Sequence, residues 1–248
     1  MKISIITAVY NNQHTLRSTL ESIISQAYKN IEIIIIDGAS TDNTINILQE
    51  FSEHISVLIS EPDNGIYDAL NKGIALATGD VIGFMHSDDL FFDHSSLLRI
   101  KDSFDDSSID AVYGDLIYVE KENTNQIVRY WRSNEFDQNM LSKGWMPPHP
   151  TFYMKRRFYE KYGGFDLQYR ISADYDSMLR YLLTPDIHVR YIPEVLVRMR
   201  VGGISNRSLG NMLLKSQEDY QVIKHHNIGG INTLLMKNFS KIPQFFSR

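Results

Sequence analysis

The sequence predicts an α/β fold, a mostly parallel sheet flanked by helices, with a C-terminal helical appendage. Apolar runs alternate with segments of helical period through the first hundred residues, which is typical of parallel sheets covered on both faces. Polar clusters follow three of these runs, at Tyr10-Asn11, Asp37-Gly38 and His86 to Asp89. No repeat or low-complexity linker divides the 248 residues, so we expect one compact domain.

The first sixty residues contain three predicted strands and two predicted helices. Residues 3–9, 31–36 and 55–59 are nearly continuous apolar runs, the pattern of buried strands. Residues 14–26 place leucines and isoleucines on one helical face. A Ser-Thr-Asp sequence at residues 40–42 supplies N-cap chemistry for a helix through Phe51.

The next forty residues continue the alternation. Residues 62–65, Pro-Asp-Asn-Gly, form a turn signal, and apolar residues then recur at helical spacing from Ile66 to Ala77. Gly79 is the expected C-cap, and residues 81–85 are the fourth strand. Because ligands of such sheets bind outside the carboxyl ends of the strands, the three polar clusters are expected to converge on one rim.

After residue 105 the pattern is less regular. The sequence predicts a hairpin of two strands at residues 111–119 and 126–131, and a loop at residues 145–150. It also predicts three helices, at residues 156–162, 172–183 and 205–225.

Composition limits the classes of function and the compartment. The net charge of −5 argues against a nucleic-acid partner, which requires a basic face. The absence of cysteine excludes disulfides and thiolate zinc sites. The N-terminal apolar run is too short for a signal peptide, and no run reaches the roughly 18 apolar residues of a membrane span. We therefore expect a cytoplasmic protein.

Asp88 and Asp89 directly follow the fourth strand, where carboxylates are unusual unless paired or bound to a metal. They could end the strand in a turn, with Asp89 capping a helix near Asp93. Alternatively they could bind Mg²⁺ or Mn²⁺, which prefer carboxylates and substrate phosphates. Asp37 could likewise cap the next helix or accept a hydrogen bond from a nucleotide base.

Asp174 and Asp176 are spaced so that they face different sides of a helix, and the segment alone does not choose between a catalytic carboxylate and a helix N-terminal acid. His149 is either a packed loop histidine or a catalytic one. Arg198, Arg200 and Gly202-Gly203 form either a strand end with a turn or a basic loop facing a diphosphate.

Eight short motifs follow one another between residue 1 and about residue 205: SIITAVYNN, IIIIDGASTDNT, SEPDNGIYDALNKGIALATGD, GFMHSDD, PHPTFYMKR, GGFD, SADYD and GGIS. Their order and spacing resemble the inverting family 2 glycosyltransferases, whose GT-A fold is Rossmann-like. Within that family they look most like bacterial enzymes that build O-antigen, capsule or exopolysaccharide. The resemblance implies a hexosyltransferase domain over residues 1–204, with a nucleotide-binding part to about residue 105, an acceptor part over 106–204, and a helical extension over 205–248.

The resemblance also implies a role for each matching residue. Asp174 is the expected general base, and Asp88 the principal ligand of Mn²⁺ or Mg²⁺. The donor is expected to be a nucleotide-sugar, with a uridine diphosphate sugar favoured, and the acceptor a glycan or lipid-linked oligosaccharide. The residues expected to bind the donor are Thr7, Tyr10, Asp37, Asp68, Lys72, His86, Asp88 and His149.

The chain departs from the family pattern at His86, which stands where the aspartate–any residue–aspartate motif has its first carboxylate. An imidazole nitrogen can ligate Mn²⁺ but carries no negative charge. Two other functions remain open, a non-catalytic nucleotide-sugar or glycan-binding module and a sugar nucleotidyltransferase. The first loop contains no glycine, which counts against the nucleotidyltransferase.

The C-terminal tail contains no acidic residue after Asp219. Its basic and apolar residues are interspersed: Lys224, Leu234, Leu235, Met236, Lys237, Phe239, Lys241, Phe245, Phe246 and Arg248. This composition predicts peripheral contact with the inner membrane face, where apolar side chains insert and cations meet anionic lipid. The alternative is a helix that docks on the protein's own core.

Overall fold

The computed structural model describes residues 1–202 and 209–240. Within these residues the strands are β1 (Ile3–Val9), β2 (Ile31–Asp37), β3 (Val57–Ser60), β4 (Val81–Phe84), β5 (Leu90–Phe91), β6 (Ala111–Val119), β7 (Ile127–Trp131), β8 (Tyr153–Lys155) and β9 (Val189–Arg200). The helices are α1 (Leu16–Ile24), α2 (Thr44–Glu50), α3 (Ile66–Leu76), α4 (Ser96–Ser103), α5 (Arg156–Tyr162), α6 (Ala173–Leu182), α7 (Leu209–His225) and α8 (Ile231–Phe239). Two short 3-10 helices span Gln138–Lys143 and His149–Thr151.

The strands form one mixed sheet in the order β3-β2-β1-β4-β8-β6-β9-β5, with β7 paired to β6. The first four strands are parallel, as their continuous apolar runs predict. β8 then pairs antiparallel with both β4 and β6, and so joins the two halves of the chain into one sheet. The carboxyl ends of β1, β2 and β4 therefore lie side by side.

Two apolar layers cover the sheet. On β1, Ile6 and Ala8 pack in one layer, with α3 and α6, whereas Ile3 and Ile5 pack in the other, with α1, α2 and α4. Burial on both faces explains why β1 and β2 are apolar at most positions rather than at alternate ones.

The main elements that the sequence predicts are present, including the β6–β7 hairpin. Two details are wrong: the C-cap of α3 is Ala77, not Gly79, and the helix near Asp93, α4, has Ser95 rather than Asp89 as its N-cap. The sequence pattern also missed β9, which contains Pro193 and lacks a clean alternation yet pairs in parallel with the whole of β6. β9 is a strand because it pairs with β6, and local sequence does not show that pairing.

The C-terminal helices dock on the domain. In α8, Thr233 and Lys237 are buried, and Lys237 forms an ion pair of 2.6 Å with the buried Asp219 of α7. The expectation that Lys237 faces lipid is therefore wrong. Residues 205–208 of the predicted helix, the boundary at residue 204, and the tail residues Lys241, Phe245, Phe246 and Arg248 lie outside the described residues. No helix among the described residues is long and apolar enough to cross a membrane.

Candidate active site

A chain of three polar side chains crosses the carboxyl edge of the sheet. His86 follows β4, His149 opens the second 3-10 helix, and Asp174 lies in the first turn of α6. His149 Nδ1 lies 3.3 Å from Asp174 Oδ2, and His149 Nε2 lies 3.1 Å from His86 Nε2. When neutral His149 donates its Nδ1–H to Asp174, its Nε2 accepts a hydrogen bond from His86. The structure thus brings together three residues that the sequence proposed separately.

The carboxylate of Asp174 is partly exposed, at 23% of its side-chain area. Its Oδ1 accepts the Tyr175 N–H at 2.8 Å and lies 3.4 Å from the Tyr67 hydroxyl. Burial, followed by the charge of Asp174, raises the pKa of Tyr67, so this phenol stays protonated. Asp174 is therefore held by neutral groups and keeps part of its carboxylate exposed, so a bound molecule could reach it.

Arg200 fixes the loop that carries Asp88. Its buried guanidinium donates to the backbone carbonyl of Asp88, to Ser18 Oγ at 3.0 Å and to the Lys121 carbonyl at 3.0 Å. Arg200 is thus an anchor at the end of β9, and its donors point at protein atoms rather than at a diphosphate. The expectation of a basic loop facing a diphosphate is wrong for the Arg200 side chain.

The carboxylate of Asp88 has no hydrogen-bond or ion-pair partner among the residues the structure describes, although it is half-buried. Next to it, Asp89 is fully buried and accepts one backbone N–H from Arg200, while its Oδ2 has no partner. Burial, and next the charge of Asp88, raises the pKa of Asp89 well above its usual value. An unpartnered carboxylate at a strand end fits a hard divalent cation.

His86 is compatible with such a cation. Burial lowers the pKa of its imidazole, against the opposing charges of Asp88 and Asp174. The ring is therefore neutral at pH 7, the form in which an imidazole nitrogen can ligate a metal.

The loops after β1 and β2 lie at the same carboxyl edge of the sheet, and Asn12 donates to Ser87 Oγ of the β4 loop at 2.8 Å. Tyr10 is 64% exposed and lies beside Gly38, where a Cβ atom would be 3.4 Å from the tyrosine ring and 2.6 Å from Asp63 Oδ2. A larger residue at position 38 would therefore displace the Asp63 carboxylate. Tyr10 presents an open aromatic face of the kind on which a nucleotide base can stack.

Asp37 is fully buried beneath that face. Its carboxylate accepts hydrogen bonds from the Ser40 N–H at 3.0 Å, the Ser40 hydroxyl, and the Ser60 hydroxyl at 2.6 Å. Its visible role is to fix the β2 and β3 loops. Thr7 lies deeper still: it is fully buried, and its hydroxyl has no partner among the described residues.

Asp68 and Lys72 lie on α3, at the turn that follows β3. Asp68 Oδ2 accepts the Asn64 N–H at 3.0 Å, and Lys72 pairs with Glu61 at 2.7 Å and more distantly with Asp68 at 3.8 Å. These contacts stiffen the turn beside Asp63. Both side chains remain partly exposed.

Asp176 faces away from the cleft, as its helical spacing predicts. It is buried, pairs with Arg180 at 2.6 Å, and pairs with His226 at 2.8 Å. His225 lies close enough to complete a group of three possible metal ligands within 4.8 Å of one another. Both carboxylate oxygens already have partners, so the cluster serves first as a clamp between α6 and α7.

Sequence reasoning missed two contributors to this site, Tyr67 and Asp63, and did not settle the role of a third, Arg200. Asp63 and Tyr67 belong to a motif that was read only as a turn and a helix, and Arg200 was left undecided. Their roles depend on contacts across the fold: Tyr67 and Asp174 are 107 residues apart. No local pattern in the sequence encodes such a pair.

Known proteins resemble this chain over most of its length. Residues 4–165 match the family model described as glycosyl transferase family 2. A "PGL/p-HBAD biosynthesis glycosyltransferase" of Mycobacterium tuberculosis (strain ATCC 25177 / H37Ra) is 30% identical over 217 residues, which cover 86% of this chain and 82% of that protein.

Solved structures show the same fold. S. aureus TarS 1-349 in complex with UDP-GlcNAc superposes with a TM-score of 0.70 at 15% identity, covering 91% of this chain and 65% of that one. The mannosyltransferase PcManGT from Pyrobaculum calidifontis, in complex with GDP-Man and Mn2+, gives 0.70 at 20% identity, covering 99% and 73%. The expected GT-A fold is confirmed.

Proposed function

The chain belongs to glycosyl transferase family 2, and on that premise we propose that it transfers a sugar from a nucleoside diphosphate donor to a hydroxyl of a lipid-linked glycan, with inversion. This transfer would be one step in the synthesis of a bacterial surface polysaccharide. The observation that carries this proposal is the contact chain from Asp174 through His149 to His86. This chain links Asp174, the general base of the proposal, to His86, which lies two residues before Asp88.

In this proposal Asp174 removes the proton of the acceptor hydroxyl, and the resulting oxygen attacks the anomeric carbon from the face opposite the leaving diphosphate. His149 orients the carboxylate through its Nδ1–H, and the Tyr175 N–H holds the other oxygen. A single displacement of this kind inverts the anomeric configuration. General-base assistance contributes about 10²–10⁴-fold to such a step.

Asp88, with His86 beside it, would hold Mn²⁺ or Mg²⁺. When bound, the cation neutralises the charge of the donor diphosphate and of the leaving group. Tyr10 would stack on the base, with Asp37, Thr7, Asp68 and Lys72 shaping the base and ribose side of the cleft. A uridine diphosphate sugar is the donor proposed.

Calorimetric titration with uridine, guanosine and thymidine diphosphates, each with and without Mn²⁺, tests donor and metal together. We expect one nucleotide to bind at least about tenfold more tightly with Mn²⁺ than without it. Release of that diphosphate from the matching sugar donor then measures turnover, with water as the acceptor. Metal-independent binding, or binding with no turnover even when lipid-linked glycans are added, would contradict the proposal.

We further propose that the protein works at the cytoplasmic face of the membrane, with α8 in contact with lipid. The buried side of α8 holds Thr233 and Lys237 against the domain. Its outer side exposes four large apolar residues, Ile231, Leu235, Met236 and Phe239. An exposed apolar helix face followed by a basic tail suits an interfacial contact with anionic lipid.

Cosedimentation with vesicles containing anionic lipid tests this contact. Wild-type protein should sediment at low salt, and a Leu235→Glu/Phe239→Glu variant should not. Leu58→Glu, on edge strand β3, is the matched control because it changes another exposed leucine. Equal sedimentation of all three proteins would refute lipid contact through α8.

A further inference from the structure

The segment just before the proposed base is held by α7. The backbone N–H groups of Arg170, Ile171 and Ser172 all donate to the carboxylate of Glu218, at 2.9, 2.8 and 2.9 Å. Glu218 is buried, at 5% exposure, and lies 46 to 48 residues further along the chain. Buried N–H groups require partners, and here one carboxylate serves three of them.

The same segment is held from the opposite side by α3. Tyr67 donates its hydroxyl hydrogen bond to the Ile171 carbonyl at 2.7 Å and lies 3.4 Å from Asp174 Oδ1. The peptide groups around Ile171 are therefore fixed between Glu218 and Tyr67. Ser172, the N-cap of α6, lies two residues before Asp174, so this clamp sets where the first turn begins.

A network of charges fixes α7 in turn. Asp219 accepts the Ser172 hydroxyl at 2.8 Å and pairs with Lys215 at 2.8 Å and with Lys237 at 2.6 Å. The Lys237 ammonium also lies 3.3 Å from the centre of the Tyr175 ring. Glu218 and Asp219, two adjacent acids of α7, thus both hydrogen-bond to the start of α6, and Lys237 of α8 pairs with Asp219.

We propose that Glu218 is a positioning residue for glycosyl transfer: it holds residues 170–172 and thereby sets the carboxylate of Asp174 against His149 and the acceptor hydroxyl. The inference rests on the proposed role of Asp174 as the base. A misplacement of about 1 Å at a reacting group can cost on the order of 100-fold in rate. Glu218 does not touch the reacting atoms and acts only through the backbone.

The test compares Glu218→Ala and Glu218→Gln with Val222→Ala in full-length protein. Val222 is fully buried on the same helix but makes none of the contacts to residues 170–172, so it matches the loss of packing. Three quantities are measured: affinity for the nucleoside diphosphate that wild type binds with Mn²⁺, hydrolysis of UDP-GlcNAc or GDP-mannose by water, and deuterium exchange of peptides covering residues 170–175.

We expect Glu218→Ala to keep diphosphate affinity within about twofold and to lose about 10- to 100-fold in turnover, with faster exchange at residues 170–175. Glu218→Gln should recover part of the rate because its amide oxygen still accepts hydrogen bonds. Val222→Ala, at an equal loss in Tm, should keep turnover within about threefold. An equal loss of turnover in Val222→Ala, or wild-type turnover in Glu218→Ala, would overturn the inference. Should Glu218→Ala not fold, Glu218→Gln carries the same comparison against Val222→Ala.

Asp174→Asn separates this inference from the proposed function. If Asp174→Asn keeps wild-type turnover, the base is wrongly assigned, whatever Glu218 does to exchange. If Asp174→Asn is impaired, adding Glu218→Ala should lower its turnover by less than about threefold, because both changes act through one carboxylate. A full additional 10- to 100-fold loss in the double variant would mean that Glu218 acts elsewhere.

Discussion

Residues 1–105 and the rest of the described chain both contribute side chains to the candidate site, and they do so in different ways. In the first half, the polar residues follow strands directly, and their partners come from neighbouring strand–helix units, as when Asp37 binds Ser40 and Ser60. In the second half, Asp174 begins a helix whose position depends on Tyr67 and Glu218, from distant parts of the chain. The first half suits a preformed donor site, and the second a base that must be positioned.

The difference predicts a division of labour: changes in the first half should weaken binding of donor and metal, whereas changes in the second should lower turnover at unchanged donor affinity.

The largest effect is expected for Asp88→Ala. Losing the only carboxylate of the cleft without a partner among the described residues should abolish the Mn²⁺ dependence of diphosphate binding. Several kcal/mol of metal stabilisation corresponds to a loss of turnover on the order of 10³-fold. Calorimetry and a donor-hydrolysis assay measure the two effects.

Asp89→Asn is the matched control for that change. Asn keeps the shape of the buried Asp89 carboxyl and can still accept a hydrogen bond from the Arg200 N–H. Diphosphate binding and turnover should therefore both stay closer to wild type than in Asp88→Ala. If Asp88→Ala kept wild-type activity and a chelator did not reduce it, the proposed metal site in the first half would be contradicted.

Asp174→Asn should have the next largest effect. The amide keeps the size of the carboxylate but cannot accept a proton, so turnover should fall by about 100-fold, the lower end of what general-base assistance contributes. Because Asp174 lies in the second half, diphosphate affinity measured by calorimetry should change less than about twofold. A large drop in affinity with modest loss of turnover would invert the division between the halves.

The same contrast explains how far the sequence could predict the structure. β1 and β2 are buried on both faces, so their continuous apolar runs predicted both the strands and the convergence of Tyr10, Asp37 and His86 on one rim. β9 was missed because its pairing with β6, rather than its own pattern, makes it a strand. Asp174 was chosen by family resemblance, since helical spacing separated it from Asp176 without showing which of the two faces the cleft.

Asp176→Asn should affect stability more than catalysis. The change leaves Arg180 and His226 facing a neutral amide in a buried site, and breaking a buried ion pair costs on the order of 3 kcal/mol in the free energy of unfolding. Denaturant unfolding should reveal that loss, while turnover at 20 °C stays within about tenfold of wild type. A loss of turnover as large as that of Asp174→Asn, at unchanged stability, would place the base on the other face of α6.

The smallest effect concerns two acids, one from each half. Burial alone would raise the pKa of Asp219, but the charges of Lys237 and Lys215 lower it to about 2. Burial opposes the shift in Glu32 as well, where hydrogen bonds from Lys2, Ser4 and Thr78 lower the pKa to about 2. Each folded-state pKa lies below the unfolded value, so each contribution is complete above about pH 4.5 and is lost as the pH falls towards 2. For Asp219 it amounts to about 2 kcal/mol.

Asp219→Asn and Glu32→Gln should therefore both make stability depend less on pH in the acid range, as measured by denaturant unfolding between pH 2 and 6. Only Asp219→Asn should also lower turnover at pH 7, by a few-fold, because Asp219 holds Ser172 at the start of α6 whereas Glu32 ties β1 and β2 together far from the base. Equal turnover in the two variants at pH 7 would mean that Asp219 stabilises the domain without helping to position Asp174.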